Sequence, residues 1–210
     1  MRLLIIGTGG HGKVVLDCAI AAGRRDGIVF MTNDLSCREL AGYPVLHEQE
    51  QDINSLHEHC DEFIAAIGDN HNRWEYFLRF TGHGFTPATL VHPNAVVSFT
   101  ANVGAGSVVL AGAVLGPDAL TGQACIINNS CVVEHDCVMG DAVHISPKAA
   151  LGGSVNVGDK SWVGIGASVA HNLRIGSRSV VGAGAAVIKD VPDDVMVCGV
   201  PAVVKKKYNP

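Results

Sequence analysis

No run of apolar residues in this sequence reaches the about 18–20 needed to cross a bilayer. The opening Arg2-Leu3-Leu4-Ile5-Ile6-Gly7 lacks the longer apolar core and cleavage site of a signal peptide, so it is read as a first strand and the protein is expected in the cytoplasm. Basic residues are scarce: 15 Lys and Arg against 20 Asp and Glu leave a net charge of −5. That balance argues against a general nucleic-acid binder, for which a basic face is expected. The one dense basic run is Lys205-Lys206-Lys207, near the end of the chain. Seven cysteines include no CxxC pair, so nothing marks a zinc site, and the odd count suits a reducing compartment. His57 and His59 have no further ligand beside them and are read as solvated surface. What remains is a globular composition, 48% hydrophobic and 17% charged, long enough at 210 residues for one large or two small domains.

Read in sixes from Val91, the first positions are Val91, Val97, Val103, Val109, Leu115, Thr121, Ile127, Val133, Met139, Ile145, Leu151, Val157, Val163, Val169, Ile175, Val181 and Val187. No residue is inserted, and Thr121 alone is not aliphatic. The fifth positions are mostly small, among them Ala113, Cys125, Cys131, Cys137 and Ala149. Glycine takes the second place in nine hexads, where it is expected to supply backbone angles other residues resist. Neither a helical period nor simple alternation gives this pattern; fixed self-similarity marks a solenoid of short parallel strands, each coil buried only against its neighbours. Large first-position and small fifth-position residues should point inward, and the three successive cysteines should be packing groups. The stretch resembles the left-handed parallel β-helix of hexapeptide-repeat acyltransferases. The hand and a triangular section of three hexads per coil follow from that resemblance.

Ahead of the coil, the strand at residues 2–6 runs into Gly7-Thr8-Gly9-Gly10-His11-Gly12 and then a helical spacing through Val14, Val15, Cys18 and Ala22. Strand, glycine turn and helix open a nucleotide-binding α/β unit, in which glycine lets backbone approach phosphate at a helix N-terminus. The turn departs from GxGxxG and has no Lys-Ser/Thr ending of a Walker loop. A second strand ends at Thr32-Asn33-Asp34, where an acidic group often reads ribose or base. After a short strand near Pro44 to Leu46, another from Phe63 to Ile67 ends at Gly68-Asp69-Asn70, followed by a helix whose buried face is expected at Trp74, Phe77 and Leu78. The fold expected is an α/β domain over 1–86, a small Rossmann-like parallel sheet, followed by an all-β left-handed parallel β-helix with a C-terminal cap over 87–210.

The glycine turn and the in-frame coil together resemble the bacterial sugar O- and N-acetyltransferases acting on sialic acid or on nucleotide-linked 4-amino-4,6-dideoxy sugars. The resemblance implies that Gly9, Gly10, His11, Asp34, Gly68, Asn70 and Arg73 hold the nucleotide sugar, with Asn128 beside the acceptor. It further implies acetyl-CoA as co-substrate, lying between two subunits of a homotrimer against His144, Gly153, Ile165, Gly166 and Gly184, with no metal. Relatives carry a basic residue where this chain has Val203, with Lys205–Lys207 just beyond.

Within the coil, Val133-Glu134-His135-Asp136-Cys137-Val138 interrupts a surface of small and apolar groups with three ionisable residues. An imidazole can act as base near neutrality, with a carboxylate fixing its tautomer. Neighbours on a strand face opposite ways, so Asp136 or Glu134 reaches His135 only if the backbone turns or from another chain. The competing reading is a charged corner. Eighteen residues make one coil, which puts Gly153 directly above His135. The expected activity is direct acetyl transfer to a sugar amine with His135 as base and Asp136 behind it. O-acetylation of a sialic acid, or a non-catalytic nucleotide-sugar-binding trimer, stand as alternatives.

Overall fold

The computed structural model describes residues 2–208. The first region is a six-stranded sheet built from β1 (Leu3–Ile6), β2 (Ile28–Thr32), β3 (Glu39–Leu40), β4 (Tyr43–His47), β5 (Glu62–Ala65) and β6 (Thr86–Pro87). Its order is β3-β4-β2-β1-β5-β6, parallel except for the β3–β4 hairpin. Helices α1 (Gly10–Ala21) and α2 (Asn70–Gly82) connect the strands. All four β1 residues are buried, as a central parallel strand covered on both faces requires.

The second region is a parallel β-helix of two-residue strands from β7 (Leu90–Val91) to β22 (Ala186–Val187), closed by β23 (Val195–Cys198) and the antiparallel β24 (Val203–Lys207). Partners along each of its three sheets lie eighteen residues apart, as in Val114 with Val132, Leu120 with Val138 and Ile126 with His144. The first and fifth positions point inward: Leu115, Val133, Cys131, Cys137 and Ala149 are all at or below 1% exposure. Burial pushes the Cys125 and Cys131 thiols up to about 12, so both stay protonated packing groups.

The glycines do a different job from the one expected. Positive φ falls on the fourth position of the hexad, at Asp118, Asp136, Ser154 and Asn172 along one corner. Second-place glycines are required by close approach instead: a Cβ on Gly104 would lie 2.1 Å from the Gly122 carbonyl oxygen. The α2 face also differs: Arg73, Phe77 and Phe80 are buried, while Leu78 is exposed. Phe80 takes the inward place because it meets Phe63 of β5 and Phe85 just ahead of β6.

The two regions share apolar clusters. Val15, Leu16, Cys18 and Ala19 of α1 pack with Ala88, Leu90, Val108, Leu110 and Ile126 of the coil. Ala124 joins the aromatic cluster of Phe63, Phe77, Phe80 and Phe85. Arg73 completes the seam. Its Nε donates to the Ala124 carbonyl at 2.7 Å, and Nη1 donates to the carbonyls of Ile67 and Gly68. Nη2 donates to Asn70 Oδ1 and to the Ala142 carbonyl. Five donors are thereby used in a side chain only 1% exposed.

Candidate active site

A cleft of about 710 Å³ opens at the carboxyl ends of β1, β2 and β5, lined by the Gly7–His11 turn, Thr32–Asp34 and Ala66–Gly68. Gly7 has φ +112, and a Cβ on Gly12 would lie 2.1 Å from the Gly7 carbonyl oxygen, so the turn closes only with glycine at both places. A Cβ on Gly9 or Gly10 would meet nothing within 4 Å. Those two glycines therefore leave open space where α1 begins. That N-terminus has no side-chain cap and no acidic residue in its first turn, so its N–H groups are free for an anion. At the far side Asp34 Oδ1 accepts from Ser36 N at 2.9 Å and Ser36 Oγ at 2.6 Å. These bonds hold its carboxyl below the usual range, and its second oxygen is left open.

A second cleft, about 660 Å³, adjoins the first at Gly68 and runs over Asn70, His71, His144, Lys160 and Trp162 to Tyr208. His144 lines this second cleft from the coil. It is 9% exposed, and its ring stacks on Trp162 with centroids 5.6 Å apart and planes within 5°. Burial first, then the charge of Arg73, then His11, push its pKa down to about 3. The ring is therefore neutral at physiological pH. Asn128 Nδ2 lies 3.1 Å from its Nε2. An amide N–H donates, so Nε2 accepts and the ring proton is assigned to Nδ1. That Nδ1 is buried without a partner among the described residues, as is His11 Nε2. Burial and then Arg73 push the His11 pKa down to about 4.

His135 occupies a corner between β13 (Val132–Val133) and β14 (Val138–Met139), on a different side of the coil from His144. Its side chain is 58% exposed and lines neither cleft. Asp136 turns back at φ +59, and its Oδ2 sits 2.7 Å from His135 Nδ1. The backbone turn thus supplies the reach that an extended strand denies. The hydrogen bond to Asp136, with the charges of Asp136 and Glu134 behind it, raises the imidazole pKa. A carboxylate on Nδ1 fixes the proton there and leaves Nε2 free as base. A Cβ on Gly153 would lie 2.5 Å from that Nε2, so glycine alone keeps the base accessible.

Of the residues singled out in the sequence, Gly9, Gly10, His11, Asp34 and Gly68 converge on the first cleft. Asn128 and His144 meet on the outer face of the coil. Arg73 lines neither cleft, and Asn70 lines the second with its amide engaged within the chain. Arg73 is spent on the seam, and Asn70 Nδ2 donates to the carbonyls of Lys160 and Ser161 while its oxygen serves Arg73. Gly153 stands with His135, whereas Ile165 and Gly166 lie on the corner after β18 (Trp162–Val163), with Ile165 58% exposed, and Gly184 stacks on that corner one coil further on. Lys205–Lys207 lie on exposed β24, where Lys206 Nζ sits 4.9 Å from the Tyr208 ring. Sequence reasoning missed Trp162, Tyr76 and Glu48, which reach the clefts from positions without any motif. No helix among the described residues is long and apolar enough to cross a membrane.

Residues 2–80 match the family described as the PglD N-terminal domain. Among solved structures, a histidine variant of perosamine N-acetyltransferase from Caulobacter crescentus, in complex with CoA and GDP-perosamine, is 37% identical. That match covers 99% of this chain and 98% of the other, with a TM-score of 0.93. The acetyltransferase domain of PglB from Neisseria gonorrhoeae in complex with acetyl coenzyme A is 36% identical over 97% of this chain and 98% of that one, with a TM-score of 0.90. WeeI from Acinetobacter baumannii is 26% identical, covers 98% of this chain and 100% of its own, and gives a TM-score of 0.80. Comparison with curated proteins found no match.

Proposed function

The chain belongs to the sugar acetyltransferases of the hexapeptide-repeat acyltransferase superfamily, with its left-handed β-helix, and from that membership we propose that it acetylates the amine of a nucleotide-linked 4-amino-4,6-dideoxy sugar with acetyl-CoA. The observation that carries this reading is the placement of His135 and His144. One is an exposed base with a free Nε2, the other a neutral ring with an unpartnered N–H, and they stand on different sides of one coil.

A single chain leaves the base away from both clefts, so the site is completed by a second copy in a homotrimer. The nucleotide diphosphate lies at the α1 N-terminus with Asp34 on the ribose. The sugar amine extends past His11 toward Asn128 and His144. Acetyl-CoA lies along the coil surface between subunits, with His144, Ile165, Gly166 and Gly184 of one chain facing His135 and Gly153 of its neighbour. The amine nitrogen attacks the thioester carbonyl carbon and gives its proton to His135 Nε2. Asp136 steadies the imidazolium through Nδ1. Backbone N–H groups beside the neutral His144 ring support the developing oxyanion in a water-poor site. Collapse breaks the carbon–sulfur bond, and the imidazolium protonates the leaving thiolate, so the acetamide and CoA thiol form without a covalent acyl-enzyme. The setting is cytoplasmic, in the making of a surface polysaccharide or glycan.

The test is thiol release from acetyl-CoA with nucleotide-linked 4-amino sugars and with free sialic acid. Release with the amino sugars supports the reading. Release with sialic acid alone makes the enzyme an O-acetyltransferase, and release with neither makes the coil a binding scaffold.

A further inference from the structure

The outer end of the sugar-nucleotide cleft, beyond Asp34, is built by side chains that the acetyl transfer does not use. Tyr76 of α2 lines the cleft there, and its hydroxyl is fully engaged. It donates to Glu48 Oε2 at 2.6 Å and accepts from Asn33 Nδ2 at 3.3 Å. Glu48 Oε1 is held in turn by Arg79, and Phe80 backs the Tyr76 ring with centroids 6.5 Å apart. The network ties the end of β2, the turn after β4 and the α2 helix into one wall, and it fixes the tyrosine ring. An aromatic ring held at both sides of its hydroxyl is a preorganised face for stacking.

The hydrogen-bonding capacity left open at this wall is nearly all of one kind. Among the side chains that line the cleft at this wall, Asn33 Oδ1, the second oxygen of Asp34 and the unused lone pairs of Glu48 are acceptors, against one remaining N–H of Asn33; Arg79, behind Glu48, is not part of the lining. Glu48 keeps 16% exposure for a partner. Uracil presents one N–H between two carbonyl oxygens, which carboxylates repel. Guanine presents N1–H and a 2-amino group side by side, which a carboxylate can accept together through charge-assisted bonds. We propose that this wall is a guanine pocket, with Tyr76 stacked on the base and Glu48 and Asn33 accepting from N1–H and the 2-amino group. Asp34 remains with the ribose. The assignment rests on the cleft being the nucleotide site and names which nucleotide it takes.

Titration calorimetry of the wild-type protein with GDP, IDP and UDP tests it without any variant. GDP should bind about tenfold or more tighter than UDP, and tighter than IDP, which lacks the 2-amino group; hydrogen bonds to charged acceptors are worth that much. Glu48→Gln should bring GDP down toward UDP. UDP binding as tightly as GDP overturns the guanine assignment and leaves the cleft reading standing. An unchanged GDP preference in Glu48→Gln also overturns it. Failure of all three diphosphates to bind removes the nucleotide cleft itself, and this inference with it.

Discussion

His135 and His144 stand nine residues apart in one coil, yet the coil gives them opposite chemistry. His135 is on a corner, more than half exposed, with a carboxylate on one nitrogen that raises its pKa. His144 is on a covered face, packed against Trp162 and close to the Arg73 charge, with its pKa pushed down to about 3. The same imidazole is a base where water and a carboxylate reach it and a neutral ring where neither does. Position in the hexad decides which: His135 is a third residue, at the turn, and His144 a sixth, on the strand facing the α/β unit.

The sharpest break of this comparison is His135→Ala. Loss of a general base should lower kcat by about 10²–10⁴-fold, with KM for both substrates nearly unchanged. The melting temperature should also hold, because the side chain is exposed. Wild-type kcat in this variant would make the charged hexad a mere corner. The covered side is tested by Arg73→Met, which leaves the carbonyls of Ile67, Gly68, Ala124 and Ala142 without their donor. About 3 kcal/mol or more of stability should go, since each buried acceptor left alone costs about 1–3 kcal/mol; an unchanged urea midpoint would show that the seam does not depend on it. Gly153→Ala should act on the exposed side alone. Its Cβ would displace the His135 ring, and kcat should fall by up to about 10²-fold at unchanged melting temperature.

Stability against pH sharpens the contrast further. His11 and His144 have folded pKa values of about 4 and about 3, below the 6.5 of a free imidazole. Below that ordinary value the unfolded chain takes up protons that the folded one refuses. Stability should therefore be full above about pH 6.5 and fall as the pH drops toward the folded values. Between pH 6.5 and 5, before carboxylates titrate, each ring should contribute a slope on the order of 1 kcal/mol per pH unit. Urea unfolding across that window would show no slope if the rings were charged when folded. The smallest effect belongs to Asp136→Asn. Removing the carboxylate should move the acid limb of kcat to lower pH, because the His135 pKa is raised chiefly by that hydrogen bond. An unmoved limb would mean that Asp136 only orients the ring.

Much of the fold was legible because the coil repeats. A phase held for seventeen hexads leaves one arrangement that buries every first and fifth position, and Cys131 could be placed inside from spacing alone. The glycines were legible as necessary but not in their reason, since close approach between coils depends on atoms eighteen residues away. Leu78 and Phe80 were exchanged in the α2 reading because helical spacing does not say which side the neighbouring sheet will occupy. Arg73, expected beside the ligand, instead spends its donors on the seam, a placement that spacing does not foretell either. A lone arginine after a glycine–asparagine turn carries no mark of the carbonyls it will meet on the coil.

By itself the sequence determined the two-part architecture, the His135–Asp136 pair and the glycine turn, because each is written in local spacing or in an unbroken period. Tertiary structure alone decided that Asp136 turns back to His135 and that His144 is buried and neutral. It alone set Tyr76, Glu48 and Asn33 in one wall. Those outcomes depend on desolvation and on contacts between residues far apart in the chain, and neither quantity exists until the chain has folded.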